Sequence, residues 1–318
     1  MTTEFELIER YFSRPTPDAD FGVGDDAAVV EPAAGHQLVI TTDTLVSGVH
    51  FFPDVAPRSL GHKALAVNLS DLAAMGAQPR WALLAITLPK VDEPWLSDFS
   101  AGFYDLAQRH RVSLIGGDTT RGPLAMSVTA LGEVAIGKAL RRNQARAGDQ
   151  VWVSGQIGSA ALALLHLRGD LRLKGTGLEV CMSRLQMPVP RIELGRELVG
   201  VASSAIDVSD GLVADARHLS SQSGVALEIH YDDVPRISDV MHLQGDRLVR
   251  QALLAGGDDY ELLFTVPPAT AAQLDAISAR SGLALTRIGR VVPGDGVRVL
   301  DASGAAIDID GGGFDHFD

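Results

Sequence analysis

The sequence is poor in cysteine, in positive charge and in long apolar runs, and each shortage excludes something. Its single cysteine, Cys181, rules out an internal disulfide framework and any paired-cysteine zinc or redox site. No window approaches the roughly 18–20 uninterrupted apolar residues of a membrane span. The opening MTTEFELIERYF is acidic and amphipathic, without the basic-then-apolar layout of a signal peptide. With 27 Lys+Arg against 40 Asp+Glu the net charge is −13, which disfavours nucleic acid and anionic membrane as partners. These absences lead us to expect a cytoplasmic protein. What is present is an ordinary soluble balance, 46% apolar and 21% charged, over 318 residues, a length that suggests two domains with separate cores.

Hydrophobic patterning predicts strands at residues 37–41, 81–88, 112–115 and 125–134, and helices at 60–75 and 96–109. Ser59 is the expected N-cap of the first helix, and Pro94 precedes the second. Residues 141–150 (RRNQARAGDQ) read as a polar linker, which divides the chain into domains 1–140 and 148–318. Beyond it, a strand at 151–154 runs through GQIG into a helix at 159–167. Further helices fit 192–201, 212–221 and 271–280, and strands fit 226–230, 262–266 and 297–300. Strands and helices interleave throughout, so each half is α/β or α+β.

The carboxylates occupy a recurring setting. Asp25 and Asp26 lie in FGVGDDAAVV, Asp43 in LVITTDT, Asp118 in SLIGGDTTRG, Asp207 and Asp210 in SAIDVSDGL, and Asp258, Asp259 and Glu261 in LLAGGDDYELLF. Each of these places Asp where an apolar run gives way to a Gly- or Thr-rich turn, the usual address of functional groups on such scaffolds. Asp71 stands apart, in the helical NLSDLAAMGA. Any one of these acids has a plain structural explanation, because Asp caps helices and makes Asx-turns; Asp210 before GLVADA reads as an N-cap on that account. Clustered carboxylates, however, repel unless cations neutralise them. Oxygen ligands without His or Cys suit Mg²⁺, with Thr41, Thr42 and Ser209 as further oxygens, and several Mg²⁺ ions point to polyphosphate chemistry.

The obvious phosphate loop fails. Residues 132–139 (GEVAIGKA) match GxxxxGK, but Ala139 replaces the Ser/Thr, and the interior reads as a strand end. The Gly-Gly pairs at 116–117 and 256–257 are the better candidates for close approach to a ligand, and Arg121 and Arg142 are the nearest cations. The histidines show no ligand spacing, although His50 follows Asp43 closely in sequence and reads equally as an ordinary strand-end histidine, and Cys181 is expected to be a buried small hydrophobe.

GVGDDAAVV, ITTDTLVSGVHF, KALAVNLSDLAAMGA, LIGGDTTRGP, IDVSDGL, GGDDYELLFT and GGGFDHF together resemble the bacterial thiamine-monophosphate kinase family, in that family's order and over nearly the whole chain. The resemblance implies the aminoimidazole ribonucleotide synthetase-like architecture of two α/β domains, with an N-terminal sheet forming a homodimer interface. It implies the reaction ATP + thiamine monophosphate → ADP + thiamine diphosphate; because the acceptor is a phosphate oxygen already anionic at neutral pH, direct in-line transfer without a phosphoenzyme is expected. By motif, Asp26, Thr41, Thr42, Asp43, Asp71, Asp118, Asp207 and Asp210 would ligate several Mg²⁺ ions. Gly117, Asp118, Arg142 and Ser209 would touch ATP, and His50, Asp258 and Phe314 would line the thiamine-phosphate site. The segment GGDD departs from the pattern GGED common in that family. Selenophosphate synthetases and hydrogenase-maturation relatives share the layout but use a cysteine near the N-terminus or at the C-terminal end, where this chain has none. A ribonucleotide-cyclising relative and a non-catalytic nucleotide-binding protein are the remaining alternatives.

If Phe314 lies over the thiazolium ring, Phe314→Ala forfeits about 0.5–2 kcal/mol of cation–π energy. The KM for thiamine monophosphate then rises in steady-state assays, whereas an unchanged KM makes FDHFD a docked tail.

Overall fold

A computed structural model describes residues 3–16, 22–243 and 246–309; Phe314 and the closing GGGFDHF lie outside them. The chain divides into two compact units, Met1–Leu72 with Ala77–Gly137 and Ala73–Gly76 with Lys138–Asp318. Among the described residues no helix is long and apolar enough to cross a membrane.

The first unit comprises α1 (Glu4–Leu7, continuing into a π-helical turn Ile8–Phe12), β1 (His36–Val46), α2 (Pro57–Ala74), β2 (Gln78–Leu88), α3 (Glu93–His110), β3 (Ser113–Arg121) and β4 (Ala125–Ala135). The sheet order is β1-β4-β2-β3. β4 pairs antiparallel with both β1 and β2, while β2 and β3 run parallel, joined by α3. Leu84, Ile86, Met126 and Val128 bury one sheet face. The opposite face carries Ile40, 61% exposed, with Thr42 and Thr44 also exposed.

Pro57 opens α2, where its missing amide costs nothing; Ser59 sits inside the first turn instead of capping it. Residues 60–70 of this helix are all buried, the polar Asn68 and Ser70 included, where the sequence suggested a single apolar face. Two glycines permit that burial. A Cβ on Gly61 would stand 2.0 Å from the Phe99 carbonyl oxygen, and one on Gly102 would stand 1.9 Å from that of Arg58, so α2 and α3 meet backbone to backbone. Asp92 caps α3, its side chain accepting from the Trp95 amide at 3.2 Å.

The second unit comprises β5 (Gln150–Ser154), α4 (Ser159–Arg168), α5 (Gly175–Gln186), α6 (Ile192–Leu198), β6 (Ser204–Asp207), α7 (Leu212–Ser223), β7 (Ala226–His230), α8 (Arg247–Ala255), β8 (Leu262–Val266), α9 (Gln273–Ser281), β9 (Leu285–Val292) and β10 (Val297–Leu300). Its mixed sheet runs β10-β7-β9-β5-β8-β6. The core includes Val151, Val153, Leu162, Leu212, Leu219, Leu227, Leu253, Leu263 and Ile288. Cys181 is buried in α5, and burial first, then the charges of Asp259 and Asp239, push its thiol up to about 12, so it is inert.

Five of these elements went unread in the sequence: α1 in the first unit, and α5, α8, β6 and β9 in the second. In β9 the apolar alternation is broken by Gly289, which is required because a Cβ there would meet the Glu228 carbonyl of β7 at 1.9 Å. The stretch 141–149 is anchored rather than a free tether. The Arg141 carbonyl accepts from the Ala205 amide at 3.2 Å, and Ser203 Oγ donates to the buried Asp149 at 2.6 Å.

Gly61→Ala and Gly102→Ala each force the two helices apart and should destabilise the first unit by about 3 kcal/mol, the upper end of overpacking costs. Urea unfolding checks this; a loss below about 0.5 kcal/mol would mean the crossing is loose.

Candidate functional site

The acids fall into one set on each unit. In the first, Asp43 and Asp118 lie within strands rather than at their ends, unlike the turn positions expected from the sequence. They occupy β1 and β3, the two edge strands. The register aligns Asp43, Val128, Leu84 and Gly117 in one row and Thr44, Ser127, Ala85 and Asp118 in the next. Adjacent rows face opposite sides of a sheet, so Asp43 points to the helix-covered face and Asp118 to the open one.

The same alternation separates Thr41 from Thr42. Thr41 Oγ1 donates to Asp71 Oδ2 on α2, while the Asp43 amide donates to Asn68 Oδ1, one helical turn before Asp71, at 3.0 Å. Thr41, Asp43, Asn68 and Asp71 therefore meet on one side of β1, an oxygen-rich patch whose chemistry fits a hard cation. Thr42 turns the other way, donating to the Val128 carbonyl at 3.1 Å and accepting from Thr129. Sequence reading missed Asn68; its signal was the i, i+3 spacing to Asp71 on a helix. Asp26 lies in an exposed turn, its amide donating to Asp25 Oδ1 at 2.9 Å. His50 accepts from the Val46 amide on Nδ1 at 3.0 Å, which leaves its proton on Nε2.

Gly116–Gly117 does not form a loop. Gly117 sits within β3, where a Cβ would lie 1.8 Å from the Leu84 carbonyl, so the glycine serves strand packing. The GxxxxGK match is likewise part of β4 up to Ala135.

In the second unit, β6 ends at the buried Asp207, and Val208–Gly211 leads into α7. Asp210 is not the N-cap; that position is Gly211, and the capping carboxylate is Asp215 from the helix's own first turn. Asp215 Oδ2 accepts from the amides of Ser209, Asp210 and Gly211, each at 3.1 Å. Burial, then the Asp210 charge, lift its carboxyl to about 7 against those three bonds.

The GGDD segment packs against this turn. The Asp258 amide donates to the Ser209 carbonyl and the Tyr260 amide to that of Val208, both at 2.8 Å. Gly257 allows the approach, since a Cβ there would stand 2.3 Å from the Ser209 oxygen. Asp258 and Tyr260 adopt positive φ, 69° and 51°, strained for non-glycine residues. The two neighbouring acids hold that strain. Asp259 accepts from the Gly158 amide at 2.6 Å and more distantly from Ala160 at 3.4 Å, pinning the start of α4. Glu261 takes Arg191 in a two-point pair and Ser154 Oγ at 2.6 Å. Asp258 is left half-buried, with the Tyr260 hydroxyl donating to it at 2.9 Å. Arg142 is exposed, its carbonyl accepting from Ser223 at 2.7 Å. Among the described residues, no three His, Cys, Asp or Glu side chains form a ready-made metal cluster.

Residues 24–134 match the family described as AIR synthase related protein, N-terminal domain, and residues 146–302 match its C-terminal domain. The chain is 43% identical over 320 residues to a thiamine-monophosphate kinase of Salmonella typhimurium, covering 99% of this chain and 98% of that protein. It is 42% identical to that of Escherichia coli K12 with the same coverage. Among solved structures, the thiamine-monophosphate kinase of Stenotrophomonas maltophilia K279a superposes with TM-score 0.84 at 45% identity, covering 95% of this chain and 96% of that one. AaThiL complexed with AMPPCP and TMP superposes with TM-score 0.77 at 31% identity, covering 99% and 97%. The hydrogenase maturation protein HypE, at 23% identity and TM-score 0.79, shares the fold alone.

Burial lifts the Asp259 carboxyl from 3.8 to about 8, against the lowering by the Gly158 and Ala160 amides. Between those values the folded chain holds a proton that the unfolded chain has lost, so stability falls as pH rises from about 4 to about 8. Asp259→Asn removes that contribution. Urea unfolding at pH 5 and pH 8 should show a smaller loss in the variant than in the parent; equal losses would place the titration elsewhere.

Proposed function

The chain belongs to the thiamine-monophosphate kinase family, and on that premise we propose that it transfers the γ-phosphoryl group of ATP directly to thiamine monophosphate, assisted by several Mg²⁺ ions. The observation that carries this reading is the convergence of Thr41, Asp43, Asn68 and Asp71, motif residues from a strand and a helix, into one oxygen-rich patch. Asp26, Thr41, Thr42, Asp43, Asp71, Asp118, Asp207 and Asp210 are the proposed metal ligands, Thr42 through its backbone carbonyl because its hydroxyl faces away. Bound Mg²⁺ supplies charge screening between two anionic phosphates.

The chain's own residues do the rest. Gly117, Asp118, Arg142 and Ser209 are assigned to ATP. His50, Asp258 and Phe314 are assigned to thiamine monophosphate, with His50 offering the Nε2 proton as a donor to a phosphate oxygen. The acceptor oxygen is already anionic at neutral pH, so no Ser, Cys or His nucleophile is needed and no phosphoenzyme forms. AaThiL, whose complex holds AMPPCP and TMP, supports this pairing of substrates.

We assign residues 1–140 to metal and nucleotide binding and dimerisation, and 148–318 to the second domain. The open face of the first sheet, with Ile40 at 61% exposure, supports a homodimer. The lack of a membrane-spanning helix among the described residues is in keeping with a cytoplasmic enzyme.

Incubation with ATP, thiamine monophosphate and Mg²⁺ yields thiamine diphosphate, and chelation of divalent metal abolishes it. Asp43→Asn and Asp210→Asn each lower kcat by about 100-fold or more, the scale on which removing a charge-stabilising group acts. No product with Mg²⁺ and monovalent cations varied would overturn the activity; full activity in either variant would overturn only the ligand assignment.

A further inference from the structure

Both glycine turns of the second unit look, in sequence, like anion cradles. GQIG runs from β5 into α4, and VSDG runs from β6 into α7; backbone amides at such helix starts ordinarily face a phosphate or carboxylate. Each is already filled by a carboxylate of the chain itself. Asp259 takes the Gly158 and Ala160 amides at α4, and Asp215 takes the Ser209, Asp210 and Gly211 amides at α7. Asp215 is 3% exposed, so its carboxylate belongs to the interior and is not a ligand offered to solvent.

The turn from 209 to 211 has little else to define it. Gly211 has φ 123°, and its missing Cβ would fall 2.8 Å from the Ala255 carbonyl carbon, which fixes one end. The Ser209 carbonyl is engaged by the Asp258 amide at 2.8 Å, which fixes the other. Between them, the directions of the Asp210 backbone and of the Ser209 and Asp210 side chains depend on three amides converging on one oxygen.

We propose that Asp215 is a positioning residue of the phosphoryl-transfer site. By occupying the amide nest it keeps these three amides from bare phosphate and aims Asp210 outward as a cation ligand, so Asp210 meets the polyphosphate only through metal. The proposal rests on the Mg²⁺ reading above and deepens it. It names a residue that would touch neither metal nor substrate, yet sets metal affinity.

The test compares Asp215→Ala, which empties the nest, with Asp215→Asn, which keeps one acceptor oxygen of the same reach. Mn²⁺ binding to the full chain is followed by electron paramagnetic resonance with the metal alone, and Mg²⁺ activation of thiamine diphosphate formation is measured in parallel. Asp215→Ala should weaken Mn²⁺ binding and raise the Mg²⁺ concentration for half-maximal rate by about tenfold, with kcat at saturating Mg²⁺ within about threefold of the parent. Asp215→Asn should stay within about threefold in all three measures.

If circular dichroism shows Asp215→Ala unfolded, Asp215→Ser, too short to reach the three amides, is held to the same criterion. A folded Ala or Ser variant with parental Mn²⁺ affinity overturns the proposal. So does an Asn variant as impaired as Ala, which would make charge, not amide geometry, the operative feature. Failure of the parent to form thiamine diphosphate would instead overturn the kinase reading, and is seen separately.

Discussion

Burying two carboxyl groups is the constraint around which the second unit is built. Asp215 and Asp259 are removed from water and held by backbone amides, which stabilise a carboxylate strongly only when several converge on it. That convergence fixes more than the two side chains. It orders the 209–211 turn and the start of α4, and the Asp258 and Tyr260 amides then tie the two acidic segments together. The positive φ values at Asp258 and Tyr260 persist because the alternating residues Asp259, held by the Gly158 amide, and Glu261, locked by Arg191, leave the backbone no relaxed alternative. A GGDD motif thus splits its labour, one acid buried as an anchor and the other left half-exposed.

The first unit obeys a different constraint, the two-residue period of a strand. Thr41 and Asp43 share one side of β1 and Thr42 the other, so a run of three candidate ligands cannot present three side chains to one cation. Helix α2 supplies the missing partners by laying Asn68 and Asp71 against that side. It lies deep enough to do so because Gly61 and Gly102 let it press against α3. Backbone contact between two helices and the position of a carboxylate are thereby linked.

Much of this was legible in advance. Strands at 226–230, 262–266 and 297–300 coincide with β7, β8 and β10, because apolar runs bounded by Gly, Pro or acid mark buried strands well. The motifs carried the family, and the matches along nearly the full chain agree with it. Less legible was the role of individual acids. Asp43 and Asp118 looked like turn residues because threonines and glycines flank them, yet those same residues lie within the two edge strands of the sheet. Asp215 escaped notice inside GLVADA because a capping carboxylate four residues downstream of the turn it serves leaves no local mark.

The shortage of positive charge set out the problem by itself: a chain at −13 that handles phosphates must use its acids for something other than repulsion. Composition and motif order determined the alternation of strands and helices, the family and the list of candidate oxygens. Which of those oxygens face solvent and which are spent on the chain's own amides was decided by tertiary structure alone. The reason is physical. A motif specifies residue type and spacing, but a carboxylate's role depends on the donors that reach it, and for Asp71 and Asp259 those come from a side chain and a backbone amide 30 and 101 positions away, which only the fold brings near.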